Sequence, residues 1–122
     1  MKNEFKNNIA FTNARLIDPH SGLDELGDLL TEGKQIKAIG KNLFYDGIPD
    51  NILKIDCKGH VLCPGFIDIN THLREPGEEH KENINTASAS ALAGGITSLV
   101  CMPDTQPVID QIPIIEFIKK RA

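Results

Sequence analysis

Cysteine is scarce in this sequence. Cys57, Cys63 and Cys101 make an odd set of three with no Cys-x-x-Cys spacing, which excludes a disulfide framework. Long apolar runs are also missing, and none approaches the roughly 18 residues a membrane-spanning helix requires. The opening Met1-Lys2-Asn3-Glu4-Phe5-Lys6-Asn7-Asn8 holds no apolar leader segment, so a cytoplasmic rather than a secreted protein is expected. Positive charge is in deficit: 13 Lys and Arg stand against 17 Asp and Glu, a net charge of −4. The first 60 residues carry −1 and the rest −3. Neither part has the basic surface of a nucleic-acid or anionic-membrane binder. Length is limiting as well. A chain of 122 residues fits about one ordinary domain and is short of two. It is far below the roughly 250 residues of a complete (β/α)8 barrel.

What is present reads as a globular chain, with 40% hydrophobic and 25% charged residues. The first 60 residues alternate strand-like runs with turn signals. Ile9 to Ile17 is one run, stopped by Asp18-Pro19 and Ser21-Gly22. Asp28-Leu29-Leu30-Thr31 and Gln35-Ile36-Lys37-Ala38-Ile39 flank Gly33-Lys34 and predict a hairpin. Asn51 to Asp56 and Val61-Leu62-Cys63 add two strands, and together these runs predict a small all-β unit. The pattern changes after Pro64-Gly65. Phe66 to Asn70 predicts a strand, residues 71–81 a polar loop, and the alanine-rich stretch 83–93 a helix with Ile84, Ala87 and Ala91 on one face. Gly94-Gly95 ends it. Ile96 to Met102 reads as a buried strand, and Ile112 to Arg121 as a helix with apolar positions 112, 114, 115 and 118. That order is the βαβ rhythm of a parallel sheet, in a barrel or in a smaller doubly wound fold.

In parallel α/β folds the chemistry gathers at the carboxyl ends of the strands. Two segments qualify: Asp68 to Gly77 and Met102 to Pro107. Asn70 and His72 stand two apart, so at an extended strand end they share a side and could grip one metal ion. Imidazole suits Zn²⁺, whereas the Asn70 amide oxygen is a weak ligand for it. Arg74 presents a planar fork that fits a carboxylate or phosphate. The plainer reading is that a single histidine at a strand end is a surface or hydrogen-bonded residue. Arg74, Glu75, Glu78, Glu79 and Lys81 would then be a solvated charged loop. His20, His60 and His80 have no partners at ligand spacing and are expected to face solvent, and Cys101 is expected to be a small core residue.

The run from Pro64 to Gly77 (Pro64-Gly65-Phe66-Ile67-Asp68-Ile69-Asn70-Thr71-His72-Leu73-Arg74-Glu75-Pro76-Gly77) resembles the PGFxDxHxHxREPG signature of bacterial dihydroorotases, in the amidohydrolase superfamily. Ala91 to Thr97 and Met102-Pro103-Asp104-Thr105 extend the likeness, matching the family's AxAGGxT and MPNT. The resemblance implies a small β domain at 1–63, followed at 64–122 by the first two βα units of a (β/α)8 barrel. The barrel would be incomplete, and the chain an N-terminal portion inactive by itself. It also implies reversible closure of N-carbamoyl-L-aspartate to dihydroorotate in pyrimidine synthesis, at a zinc centre that lowers the pKa of bound water. Carried over by position, His72 and Asn70 fall on the two zinc ligands, and Arg74 and Asp104 on the substrate-carboxylate clamp. No catalytic acid or base falls within these residues.

Two of those positions depart from the family pattern. Asn70 replaces a histidine, and Asp104 replaces an asparagine. Loss of a ligand weakens zinc. A carboxylate about 4 Å from the substrate carboxylate costs about 4 kcal/mol at an effective dielectric of 20. The alternatives are a non-catalytic dihydroorotase-like scaffold that accompanies aspartate carbamoyltransferase or self-associates, and an allantoinase-type hydrolase. The last must explain Asn70.

Overall fold

A computed structural model describes residues 8–122. The leader reading above rests mainly on residues 1–7, which lie outside them. The chain divides into two compact units, the first ending at Pro64 and the second running from Gly65 to Ala122. Each unit is smaller than an ordinary domain.

The first unit is one sheet. β1 (Asn8–Asp18), β2 (Leu23–Glu32), β3 (Gln35–Gly40) and β4 (Leu53–Asp56) lie in the order β3-β2-β1-β4, and β5 (Val61–Leu62) also pairs with β1. β1 supplies the buried residues Ala10, Thr12, Ala14 and Leu16, with an irregularity in its pairing with β2 between Phe11 and Ala14. β2 and β3 form the expected hairpin about Gly33-Lys34, with Glu32 opposite Gln35. A second hairpin was not legible in the sequence. β2 begins at Leu23, not Asp28, and Asp18 pairs with Leu23. Leu23 to Gly27 has no β-branched residue and poor strand propensity. Cross-strand contact with β1 decides it, including a bidentate Arg15–Asp24 pair at 2.6 and 2.7 Å. One face of the sheet carries an apolar cavity of about 400 Å³, lined by Phe11, Leu16, Leu29, Ile36, Ile39 and Leu62 among others.

The second unit has β6 (Phe66–Thr71), α1 (Ile84–Ala93), β7 (Ile96–Cys101) and α2 (Ile112–Arg121), with β6 and β7 parallel neighbours. Asn83 caps α1, accepting from Thr86 N–H at 3.0 Å, while Thr86 Oγ1 accepts from Asn83 N–H. Gly94 ends the helix and Gly95, at φ +81°, takes the left-handed step that follows. Ile84 is buried and Ala87 and Ala91 half-buried, the face the periodicity predicts. Leu73, Ile84, Ala91, Leu99 and Ile118 help line an apolar cleft of about 440 Å³.

The strands of this unit are apolar yet largely uncovered, as two strands of an incomplete barrel are expected to be. Ile96 to Met102 looks like a buried strand, yet Val100 is half exposed, and on β6 Phe66, Ile67 and Ile69 are exposed. Continuous apolar runs mark parallel strands covered on both faces. Here the described sheet has two strands, each with one strand neighbour. Cys101 is accordingly half-buried and not a core residue. On α2, Ile114 and Ile118 are half-buried while Ile112 and Ile115 are exposed.

Candidate functional site

The two strands of the second unit end side by side, so the loops that follow them meet. Met102 N–H donates to Thr71 O at 2.8 Å, and Gln106 N–H donates to Pro76 O at 2.9 Å. Gly77, at φ +109°, lies where a Cβ would overlap the Gln106 carbonyl, so only glycine lets the loops approach this closely. Parallel pairing of Thr71 with Cys101 sets the register, placing His72 one residue beyond β6 and Asp104 three beyond β7.

The register brings two of the four candidate residues into contact. His72 Nδ1 lies 2.6 Å from Asp104 Oδ2, with both side chains a little under half exposed. A carboxylate only accepts, so Nδ1 is the donor. Asn70 is exposed, its backbone N–H donating to Asp68 Oδ1 at 2.9 Å. Arg74 sits at φ +62°, a left-handed conformation that costs a non-glycine residue roughly 1–2 kcal/mol. Its Nη1 donates to Glu78 Oε2 at 3.0 Å, and Glu78 also holds Lys81. Hydrogen bonding from Lys81 first, with the charges of Lys81 and Arg74 adding to it, holds the Glu78 carboxyl below its usual range. Because glycine occupies positive φ freely, Arg74→Gly is expected to exceed Arg74→Ala in stability by about 1 kcal/mol in urea titrations. Equal stabilities would contradict a strained backbone here.

Glu75 overturns the reading of this loop as solvated charge. It is 3% exposed. Its Oε2 accepts from Ile84 N–H at 2.9 Å, and its Oε1 accepts from Arg121 Nε at 2.7 Å. The Ile84 N–H above all, then Arg121, hold its carboxyl below the ordinary glutamate range. Thr105 is also buried, its hydroxyl donating to Pro107 O at 2.7 Å. Nothing in the local pattern marked either residue; the REPG likeness alone set Glu75 apart from its acidic neighbours. His20, His60 and His80 are exposed as expected, although His60 Nδ1 lies 2.7 Å from Cys57 O.

The described donors do not by themselves complete a zinc site. A zinc site needs three or four N, S or O ligands around one point. The two loops offer one imidazole, with Nδ1 on Asp104 and Nε2 as its remaining donor atom, and a neutral amide. Among the described residues no three His, Cys, Asp or Glu side chains gather as a metal site. The same loops offer positive charge at Arg74 and a carboxylate at Asp104.

A small β unit followed by parallel βα units, with polar side chains collected after the strands, is the architecture of amidohydrolase-type barrel enzymes. The L-hydantoinase (dihydropyrimidinase) from Arthrobacter aurescens shares it with a TM-score of 0.81 and 25% identity, over 93% of this chain and 24% of that one. Molinate hydrolase matches with a TM-score of 0.61 and 27% identity, over 76% of this chain and 23% of its own. Within that class the chain belongs to the dihydro-orotase-like family, whose model matches residues 59–122. It is 52% identical over 115 residues to a dihydroorotase of Ehrlichia canis, and 44% identical over 110 residues to one of Aquifex aeolicus. Those matches take in 93% and 90% of this chain, and 26% and 25% of the relatives. The chain thus spans about a quarter of the length of the curated relatives it matches. Among the described residues no helix is long and apolar enough to cross a membrane.

Proposed function

We propose that these residues belong to a cytoplasmic dihydroorotase-like protein that recognises the N-carbamoyl-L-aspartate/dihydroorotate pair through Arg74, without a working zinc centre at positions 70 and 72. The observation that carries this reading is Asn70, an amide at a strand end whose only neighbouring imidazole among the described residues is His72, with Asp104 held on His72 at 2.6 Å. His72 is the one imidazole there, and an amide stands where a second imidazole would be needed. Arg74 keeps the fork that a carboxylate ligand requires, with Nη1 resting on Glu78. On this reading the domain division falls between residues 63 and 64, with the small-molecule site wholly in the second part.

The test is zinc titration and dihydroorotate hydrolysis on the 122-residue chain. The expected result is no stoichiometric zinc and no turnover, with zinc affinity rising at least tenfold in Asn70→His. Stoichiometric zinc on the unaltered chain would overturn the reading. The same two replacements favour a second role, as a non-catalytic partner of aspartate carbamoyltransferase. Sedimentation of the two proteins together would reveal that complex.

A further inference from the structure

Glu75 has no part in the proposed anion site, yet it is the one buried carboxylate among the described residues. Burying a charge is costly unless it is fully hydrogen-bonded. Here each oxygen has its own partner, on two different helices. Oε2 takes the N–H of Ile84, the first residue of α1, and Oε1 takes Nε of Arg121, the last residue of α2. The reciprocal cap of Asn83 and Thr86 leaves the Ile84 N–H to Glu75, so one oxygen completes the start of α1 while the other is held by Arg121. What Glu75 adds is a fixed point in the loop between Arg74 and Pro76. The backbone on either side is also tied: Arg74 O accepts from Glu78 N–H at 2.8 Å, and Pro76 O from Gln106 N–H. Arg74 itself stands in a left-handed conformation that an untethered arginine would leave.

We infer that Glu75 is the positioning residue of the anion clamp: anchored to Ile84 N–H and Arg121, it holds Arg74 at positive φ and so directs the guanidinium. The inference rests on the reading of Arg74 as the group that takes a carboxylate ligand. It makes the far end of α2, through Arg121, part of the geometry of a site it does not touch. It also explains why a glutamate follows the arginine directly: residue 75 is the position whose anchoring fixes the peptide leaving Arg74.

The experiment uses the isotopically labelled 122-residue chain and its Glu75→Gln, Arg121→Met and Arg121→Lys variants. Arg74 Cα and Cβ shifts and the intraresidue HN–Hα contact report the sign of its φ. Titration with N-carbamoyl-L-aspartate reports the clamp. Glu75→Gln and Arg121→Met are expected to lose the left-handed signature at Arg74 and to weaken ligand binding at least tenfold while the β6, α1 and β7 signals persist. Arg121→Lys, which keeps a charged donor, should restore most of both. An unchanged Arg74 signature in folded variants would overturn the inference, leaving Glu75 a purely structural clasp. Should Glu75→Gln fail to fold, the two Arg121 variants decide the matter in the same way. If the unaltered chain binds no N-carbamoyl-L-aspartate, the clamp reading of Arg74 falls, and its backbone signature still decides what Glu75 does.

Discussion

Asp104→Asn is expected to raise affinity for N-carbamoyl-L-aspartate, the ligand proposed for the Arg74 clamp, at least tenfold, and by up to about a thousandfold. The upper figure follows from Coulomb's law. Two like charges about 4 Å apart at an effective dielectric of 20 repel by about 4 kcal/mol, and each 1.4 kcal/mol is a factor of ten. The lower figure reflects the setting. The Asp104 side chain is 47% exposed and lies against His72, so solvent and the imidazole both screen its charge. Asparagine keeps an oxygen that can accept from His72 Nδ1, so the substitution removes charge with little change of shape. Calorimetric titration of the two chains would measure the difference. An unchanged affinity would place the ligand carboxylate away from residue 104, and with it the clamp away from this pair of loops.

Glu75→Ala is expected to destabilise the chain by about 3 kcal/mol. It breaks two hydrogen bonds to a charged group, each contributing about 1.5–3 kcal/mol when lost. The low end applies because Arg121, 44% exposed, recovers water. The effect depends on pH with a definite sign. The folded-state carboxyl of Glu75 lies below its ordinary value, so near that value the unfolded chain binds more protons than the folded one. Its contribution is complete above the ordinary glutamate value of about 4.3. The contribution then disappears as pH falls through the lower, folded-state value. Acid unfolding of Glu75→Ala should therefore be shallower than that of the unaltered chain. Asp18, Asp24, Asp56 and Glu78 are also held low by their hydrogen bonds, and they remain in both proteins. The difference between the two acid curves thus isolates Glu75. Parallel curves would mean that its carboxyl is not held in the buried pair.

Much of the candidate site can be read in one dimension. The strand-end rule places chemistry at residues 68–77 and 102–107, and the family likeness picks out His72, Arg74 and Asp104 within them. Their partners could not be read this way. His72 and Asp104 are 32 positions apart. Only the parallel register of β6 with β7 brings them together. Glu75 and Arg121 are separated by 46 positions, and no period or spacing links them. The sequence context of Glu75 is a run of charges, which favours a solvated loop. Burial of one of those charges depends on where two helices start and stop.

The sequence alone determines the order of elements, the hairpin at Gly33-Lys34, the helix from Ile84 to Ala93 and the family. These rest on periodicity, turn chemistry and contiguous motifs, which are local properties. Tertiary structure decides that Leu23 to Gly27 is a strand, that β6 and β7 leave much of their apolar surface exposed, and that the scarce imidazole at residue 72 faces a carboxylate. The first and last are pairings between separate segments, and the second is the lack of a covering partner. A pairing energy belongs to two places in the chain at once, and local propensity contains only one of them.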